Sequence, residues 1–199
     1  MKRYIHSDYD PAAFDSNPDI RRGVAERTDD PELLELFAYD PNMFVRRAAA
    51  KNKYANDYVI SEVIENYEEQ DTDDYTLWDL AGKSNAISGL LKRYHAAPSN
   101  WRVREALAHN CNCPVDLLVQ FADDEYYDVR AEVGGHPNTP VDILAKLSQD
   151  PEPIVREFVA ENPNTPLDIL EKLVADEESW VSRNACTTIG KYHARSCEK

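Results

Sequence analysis

DDEYYDVRAEVGGHPNTPVDILAKL (residues 123–147) is followed almost at once by DPEPIVREFVAENPNTPLDILEKL (residues 150–173). Val129 and Val155 stand 26 residues apart, as do Pro140 and Pro166. Stepping back by the same period reaches Val103 and Pro114, and stepping forward reaches Val181. A fixed period of this length marks a repeat architecture, in which one supersecondary unit recurs and stacks on its neighbours. With Ile20, Val45 and Trp78 read as the upstream counterparts, seven anchors follow one another at intervals of 25, 33, 25, 26, 26 and 26. The interval of 33 marks an insertion, and the third unit departs most from the pattern.

Each unit reads as two short helices. In the first, the anchor and the positions four and five later (Val155, Val159, Ala160) share one helical face. Asn162 and the turn Pro163-Asn164-Thr165-Pro166 then end it, since Asn tolerates helix termini and Pro cannot continue a helix. The second opens at Thr165-Pro166-Leu167-Asp168, with Thr expected as the cap and Asp at the positive end of the helix dipole. Leu167, Leu170 and Leu173 supply its apolar stripe. One such unit cannot bury both helices, whereas a stack of seven can, so the expected fold is an all-α curved solenoid. It is read as one domain over residues 1–199. Residues 15–65 hold the first two repeats and 66–98 an acidic insertion with a degenerate repeat. Residues 99–190 hold the regular repeats and 191–199 a polar tail.

Two columns recur with the period. Arg21, Arg46, Arg104, Arg130 and Arg156 each follow an anchor. Asp15, Asp40, Asp124 and Asp150 stand six residues before four of them. The arginines are read as a structural ladder, bonded to aspartate or to helix-end carbonyls of their own or the next unit; the alternative is a groove for an anionic ligand. Asn52, Asn85, Asn110 and Asn162 form the second column and are expected to cap backbone. The doubled Arg21-Arg22 and Arg46-Arg47, interleaved with Glu26 and Asp40, read as a mixed surface.

Within this frame His109-Asn110-Cys111-Asn112-Cys113-Pro114 aligns with Asn162-Pro163-Asn164-Thr165-Pro166. Cys111 replaces a turn proline and Cys113 the threonine, so both are read as substitutions in a turn. The alternative is a metal or redox site, for which His109 and His136 are the near candidates. No metal and no cofactor is assigned.

Composition narrows the function classes. The chain has 199 residues, 42% hydrophobic, with a formal net charge of -15. Strong acidity opposes general nucleic-acid binding and docking on anionic lipid, and suits a basic protein partner. The N-terminus lacks a signal-peptide core, no stretch is apolar enough to span a membrane, and the cysteine spacing does not resemble a disulfide scaffold. A cytoplasmic protein is expected. No serine-elbow, phosphate-loop, zinc-protease or dinucleotide motif occurs, and the chain is read as non-catalytic. Residues 62–79 carry eight acids and no Lys or Arg. Glu65, Glu68, Glu69, Asp71, Asp73 and Asp74, with Tyr67 and Tyr75, are candidate contacts for a basic partner, against the plainer reading of a solvated loop. Trp101 and Tyr127, each two residues before an anchor, are candidates for one further patch, stacked as neighbours. Trp78 is read as core.

The N-P-N-T-P-x-x-x-L-x-x-L turn, the V-R-x-x-V-A helix and the 25–26-residue period resemble the leucine-rich repeat variant family, with HEAT-like repeats as architectural neighbours. The resemblance is strongest over residues 99–181, fair over 15–65 and poor over 66–98. It implies a right-handed superhelix in which an α-helix alternates with a second, 3₁₀ helix. Some members carry an N-terminal cysteine cluster for an iron–sulfur centre. This chain has no cysteine before Cys111, so that feature is not carried over. The resemblance implies a scaffold for protein interaction. The readings kept beside it are a HEAT-like nucleic-acid binder and a metal or redox protein using Cys111 and Cys113.

Overall fold

The computed structural model describes residues 10–65 and 75–197, and among them every regular element is a helix. The chain divides into two compact units, Met1–Ala97 and Pro98–Lys199. The first unit holds α1 (Pro18–Arg27), α2 (Pro31–Phe37), α3 (Met43–Lys51), α4 (Asp57–Glu65), α5 (Tyr75–Ala81) and α6 (Ile87–Ala96), with 3₁₀ turns at Pro11–Phe14 and Ser84–Ala86. The second holds α7 (Trp101–His109), α8 (Val115–Phe121), α9 (Tyr127–Gly135), α10 (Val141–Leu147), α11 (Pro153–Glu161), α12 (Leu167–Leu173) and α13 (Ser179–Cys197).

The repeat is plainest in the second unit. Nine-residue first helices alternate with seven-residue second helices, and the 19-residue α13 closes the series. The first helices pack in a row, α7 on α9, α9 on α11 and α11 on α13. Their anchors Val103, Val129, Val155 and Val181 are fully buried, as are Leu107, Val133, Val159 and Ala185 four residues later. Five residues after the anchor stands a small residue: Ala108, Gly134, Ala160. Packing is tight at Gly134, where a Cβ would lie 3.0 Å from Val159 Cγ2 and 3.3 Å from the Val155 carbonyl. Leu118, Phe121, Leu144, Leu147, Leu170 and Leu173 fill the core from the second row.

The second helices are short α-helices rather than 3₁₀ helices. Leu118, Leu144 and Leu170 N–H groups donate to the carbonyls of Pro114, Pro140 and Pro166, an i to i+4 pattern at 2.9–3.1 Å. Bonds of the tighter i to i+3 kind stand at their ends, from Leu117 and Ile169 to the same prolines and from Asp124, Asp150 and Asp176 to Phe121, Leu147 and Leu173. The threonine does not cap them. Thr139 and Thr165 hydroxyls donate backwards, to the Val133 and Val159 carbonyls at 2.5 and 2.7 Å, and Pro140 and Pro166 take the cap position. The hydroxyls thus support carbonyls at the end of the first helix, where the regular ladder of backbone bonds runs out.

In the first unit α1 packs on α3 and α4 on α6. Two upstream anchors stand otherwise than the period suggests. Ile20 is 41% exposed, although Val24 and Ala25 are buried in register. Among the described residues, α1 packs beyond α3 on the 3₁₀ turn Pro11–Phe14 and on α2. Trp78 is also 41% exposed; its neighbour Leu77 takes the core place with Leu80 and Ala81. With Leu77 as anchor, the interval to Val103 becomes 26 and the insertion falls wholly before it. The tryptophan drew the reading to itself because it is the larger apolar residue, but helix phase places Leu77, Leu80 and Ala81 on one face.

Candidate functional site

The period-locked charges are consumed by the fold. In the second unit Arg104 Nε and Nη2 donate to both Asp124 carboxylate oxygens at 2.5 and 3.0 Å. Arg130 does the same to Asp150 at 2.7 and 2.9 Å, and Arg156 to Asp176 at 2.7 and 3.0 Å. The partner is thus the aspartate of the following repeat. The residue six places earlier contributes its carbonyl instead: Nη1 of Arg104, Arg130 and Arg156 donates to Pro98, Asp124 and Asp150 O at 2.8–2.9 Å. Each of these carboxylates also accepts the amide two residues on. Arg21 in the first unit forks onto Asp40 and reaches the Asp15 carbonyl, and Arg46 reaches that of Asp40. Hydrogen bonding from Arg156 holds the Asp176 carboxyl below its ordinary value. These arginines have few donors left for an anionic ligand.

The asparagine column is consumed too. Asn162 Nδ2 donates to the Gly134 and His136 carbonyls at 2.8 and 2.9 Å, and its Oδ1 accepts from Asn164 N at 2.9 Å. Asn52 repeats this toward Ala25, Thr28 and Tyr54. Asn85 does not belong to the column. Lys83 reaches the Ala50 and Asn52 carbonyls at 2.7 and 3.3 Å, while Asn85 bonds Asp57. With Leu77 as anchor Asn85 stands eight residues on rather than seven, which takes it out of the column. His136 imitates asparagine: Nδ1 lies 3.0 Å from Asn138 N, an obligate donor, so Nε2 carries the proton and donates to Asn110 O at 3.0 Å. Burial pushes its pKa below the ordinary value.

Cys111 and Cys113 are separated by the same turn. Cys113 is buried in the threonine place and its thiol is pushed up to about 12 by burial, whereas Cys111 is exposed. Cys111 lines a recess of about 320 Å³ with His109, Glu132, His136 and Glu161. Glu132 holds His109 Nδ1 at 2.9 Å and raises its pKa. Among the described residues no group of three or more His, Cys, Asp or Glu side chains is placed to hold a metal ion. On the same helices Glu105 is pushed up to about 7, first by burial and then by Asp128 and Glu132.

The first-helix row also carries aromatic side chains. Trp101 stacks on Tyr126, ring centroids 5.2 Å apart and planes at 14°, rather than on Tyr127. Tyr127, 44% exposed, instead faces a recess of about 730 Å³ shared with Asp128, Glu152, Pro153, Ile154, Glu157 and Trp180. Trp180 is 43% exposed and Ile154 36%. Three carboxylates line this recess and no Lys or Arg does. Asn184 Nδ2 donates to Glu157 at 3.1 Å, and burial together with Glu161 raises the Glu157 pKa.

Sequence reasoning missed Asp128, Ile154 and Trp180. They share one place, immediately before the anchor, and Phe44 and Arg102 hold it in α3 and α7. The signal was variability: repeats that agree at the anchor, the arginine and the small residue disagree here. Of the acidic middle, Glu65 lies in α4 and pairs with Lys92 at 2.6 Å. Tyr67, Glu68, Glu69, Asp71, Asp73 and Asp74 lie outside the described residues, and Tyr75 opens α5.

The family described as leucine rich repeat variant matches residues 127–152 and 154–178, two consecutive repeats that span α9 to α12. Comparison with curated proteins and with solved structures gives no match. No described helix is long and apolar enough to cross a membrane.

Proposed function

We propose that this chain is a non-catalytic repeat scaffold of the cytoplasm that binds a partner protein on the first-helix row of the unit Pro98–Lys199. The observation that carries this reading is a division of labour within the repeat. Positions that recur with the period are spent on the fold, as the Arg–Asp forks and the Asn162 bonds illustrate. The place before the anchor varies, is turned outward in Ile154 and Trp180, and borders an aromatic recess. Repeat proteins bind through such surface positions, leaving the stacking positions alone. Aromatic side chains with a polar rim suit a protein interface, and the net charge of -15 favours protein over nucleic acid.

The second helices offer a competing surface. Val115, Val141 and Leu167 recur one period apart at their starts and are 45%, 58% and 37% exposed. A photo-crosslinking residue placed at Tyr127 or Ile154, and separately at Val141 or Leu167, decides between the rows in cells of the native source. A discrete protein adduct from the first pair, absent from the second, is expected. Adducts from Val141 and Leu167 alone, or nuclease-sensitive adducts, would overturn the reading.

A further inference from the structure

The recess between α9, α11 and α13 joins aromatic walls to a rim of one charge sign, and we propose that it receives an arginine side chain from a basic, extended segment of the partner protein. This rests on the scaffold reading above and states what that surface recognises.

Tyr127 and Trp180 line the recess, and Ile154 adds an aliphatic wall. An aromatic face attracts a cation, tryptophan most strongly. Asp128, Glu152 and Glu157 supply the negative charge, and among the described residues no cationic side chain lines the recess to neutralise them. An anionic occupant would meet three carboxylates, and a neutral apolar one would leave them facing it. Guanidinium fits better than ammonium because it stacks flat on an indole while its edge donates paired N–H bonds to a carboxylate. The chain already makes this kind of contact one repeat earlier, where Arg102 Cζ lies 4.9 Å from the Trp101 ring centroid. Arg102 fills the same place in α7 that Asp128 fills in α9, so the cation supplied internally in one repeat is missing in the next. Its volume of about 730 Å³ exceeds one side chain, which leaves room for the flanking residues of a segment.

The probe is a fluorescein-labelled Gly-Arg-Gly-Arg-Gly-Arg peptide, compared with its lysine and trimethyl-lysine counterparts by anisotropy on the full chain, at low and at physiological salt. Arginine binding tighter than either counterpart is expected. The pair Asp128→Asn and Glu157→Gln should weaken it by about tenfold, and Trp180→Phe should preserve more binding than Trp180→Ala. The pair Asp168→Asn and Glu171→Gln removes the same charge from exposed positions of α12 and should weaken it less than about twofold. No binding by the unaltered chain, or equal weakening by both pairs, would overturn the assignment. If the cross-linked partner forms at Tyr127 but is not displaced by the peptide, the arginine assignment fails and the scaffold reading stands. If the peptide binds as described but no adduct forms at Tyr127 or Ile154, the scaffold reading fails instead.

Discussion

Replacing Asn162 by alanine should remove more stability than any exposed substitution nearby. The side chain is 2% exposed. It donates to Gly134 and His136 carbonyls at 2.8 and 2.9 Å and accepts from Asn164 N at 2.9 Å. The Gly134 carbonyl ends α9 with no i+4 amide to accept, because Asn138 N is turned to the His136 ring. Asn162→Ala therefore leaves the buried Gly134 carbonyl and the Asn164 amide without a partner, and leaves the His136 carbonyl with Thr139 N alone at 3.2 Å. Each such group costs about 1–3 kcal/mol, and partial relaxation of the turn brings the sum to roughly 3–4 kcal/mol. For a chain of this length that lowers Tm by about 6–16 °C. Asn162→His provides the internal comparison, since His136 already fills this role with one donor and one acceptor. It should cost about half as much as alanine. Asn164→Ala loses an exposed bond to Pro137 O and should cost about 1 kcal/mol or less. Denaturant melts of the three variants give the comparison. Equal costs for Asn162→Ala and Asn164→Ala would refute the assignment of the column as backbone support.

Arg130→Met strands the buried Asp150 carboxylate and the Asp124 carbonyl, and should cost about 3–5 kcal/mol in a urea melt, with Arg130→Lys intermediate because it keeps charge but loses the fork. His136 has a folded pKa below its unfolded value of 6.5, so the unfolded chain binds more protons and stability falls as pH drops through 6.5 toward the folded pKa. His136→Asn should remove that loss, measured as a flatter stability profile between pH ~7 and ~5. Glu105 has the opposite sign: its folded pKa near 7 exceeds 4.5, so the folded chain binds more protons and stability falls as pH rises from 4.5 to 7. Glu105→Gln should stabilise the chain by about 1–3 kcal/mol at pH ~8, with the gain gone below pH ~4.5.

Most of the fold was legible because the chain states its pattern several times. Val103, Val129, Val155 and Val181 agree in spacing and in burial, and the N-P-N-T-P turn fixes where each pair of helices bends. The degenerate third repeat was legible only in outline. There Trp78 and Leu77 compete for one place, and burial decides for Leu77 together with Leu80 and Ala81. Direction was the harder quantity. The Asp–Arg spacing of six reads equally as an internal pair, yet the arginine crosses to the aspartate 20 residues ahead, because the near aspartate turns its carbonyl to it. The candidate site was the least legible part, since its residues carry no motif. Tyr127 was found by its aromatic character, but its partner is Trp180, two repeats onward, and only the packing of α9, α11 and α13 brings them to one recess.

The claim that variable first-helix positions bind while periodic positions hold the fold is tested most directly by nuclear magnetic resonance. The isotope-labelled chain is titrated with the arginine peptide and shifts are mapped residue by residue. Saturable shifts confined to Tyr127, Asp128, Ile154, Glu157 and the Trp180 indole are expected, with Val115, Val141 and Leu167 unmoved. Shifts centred on those second-helix residues, or spread evenly over the acidic surface, would contradict it.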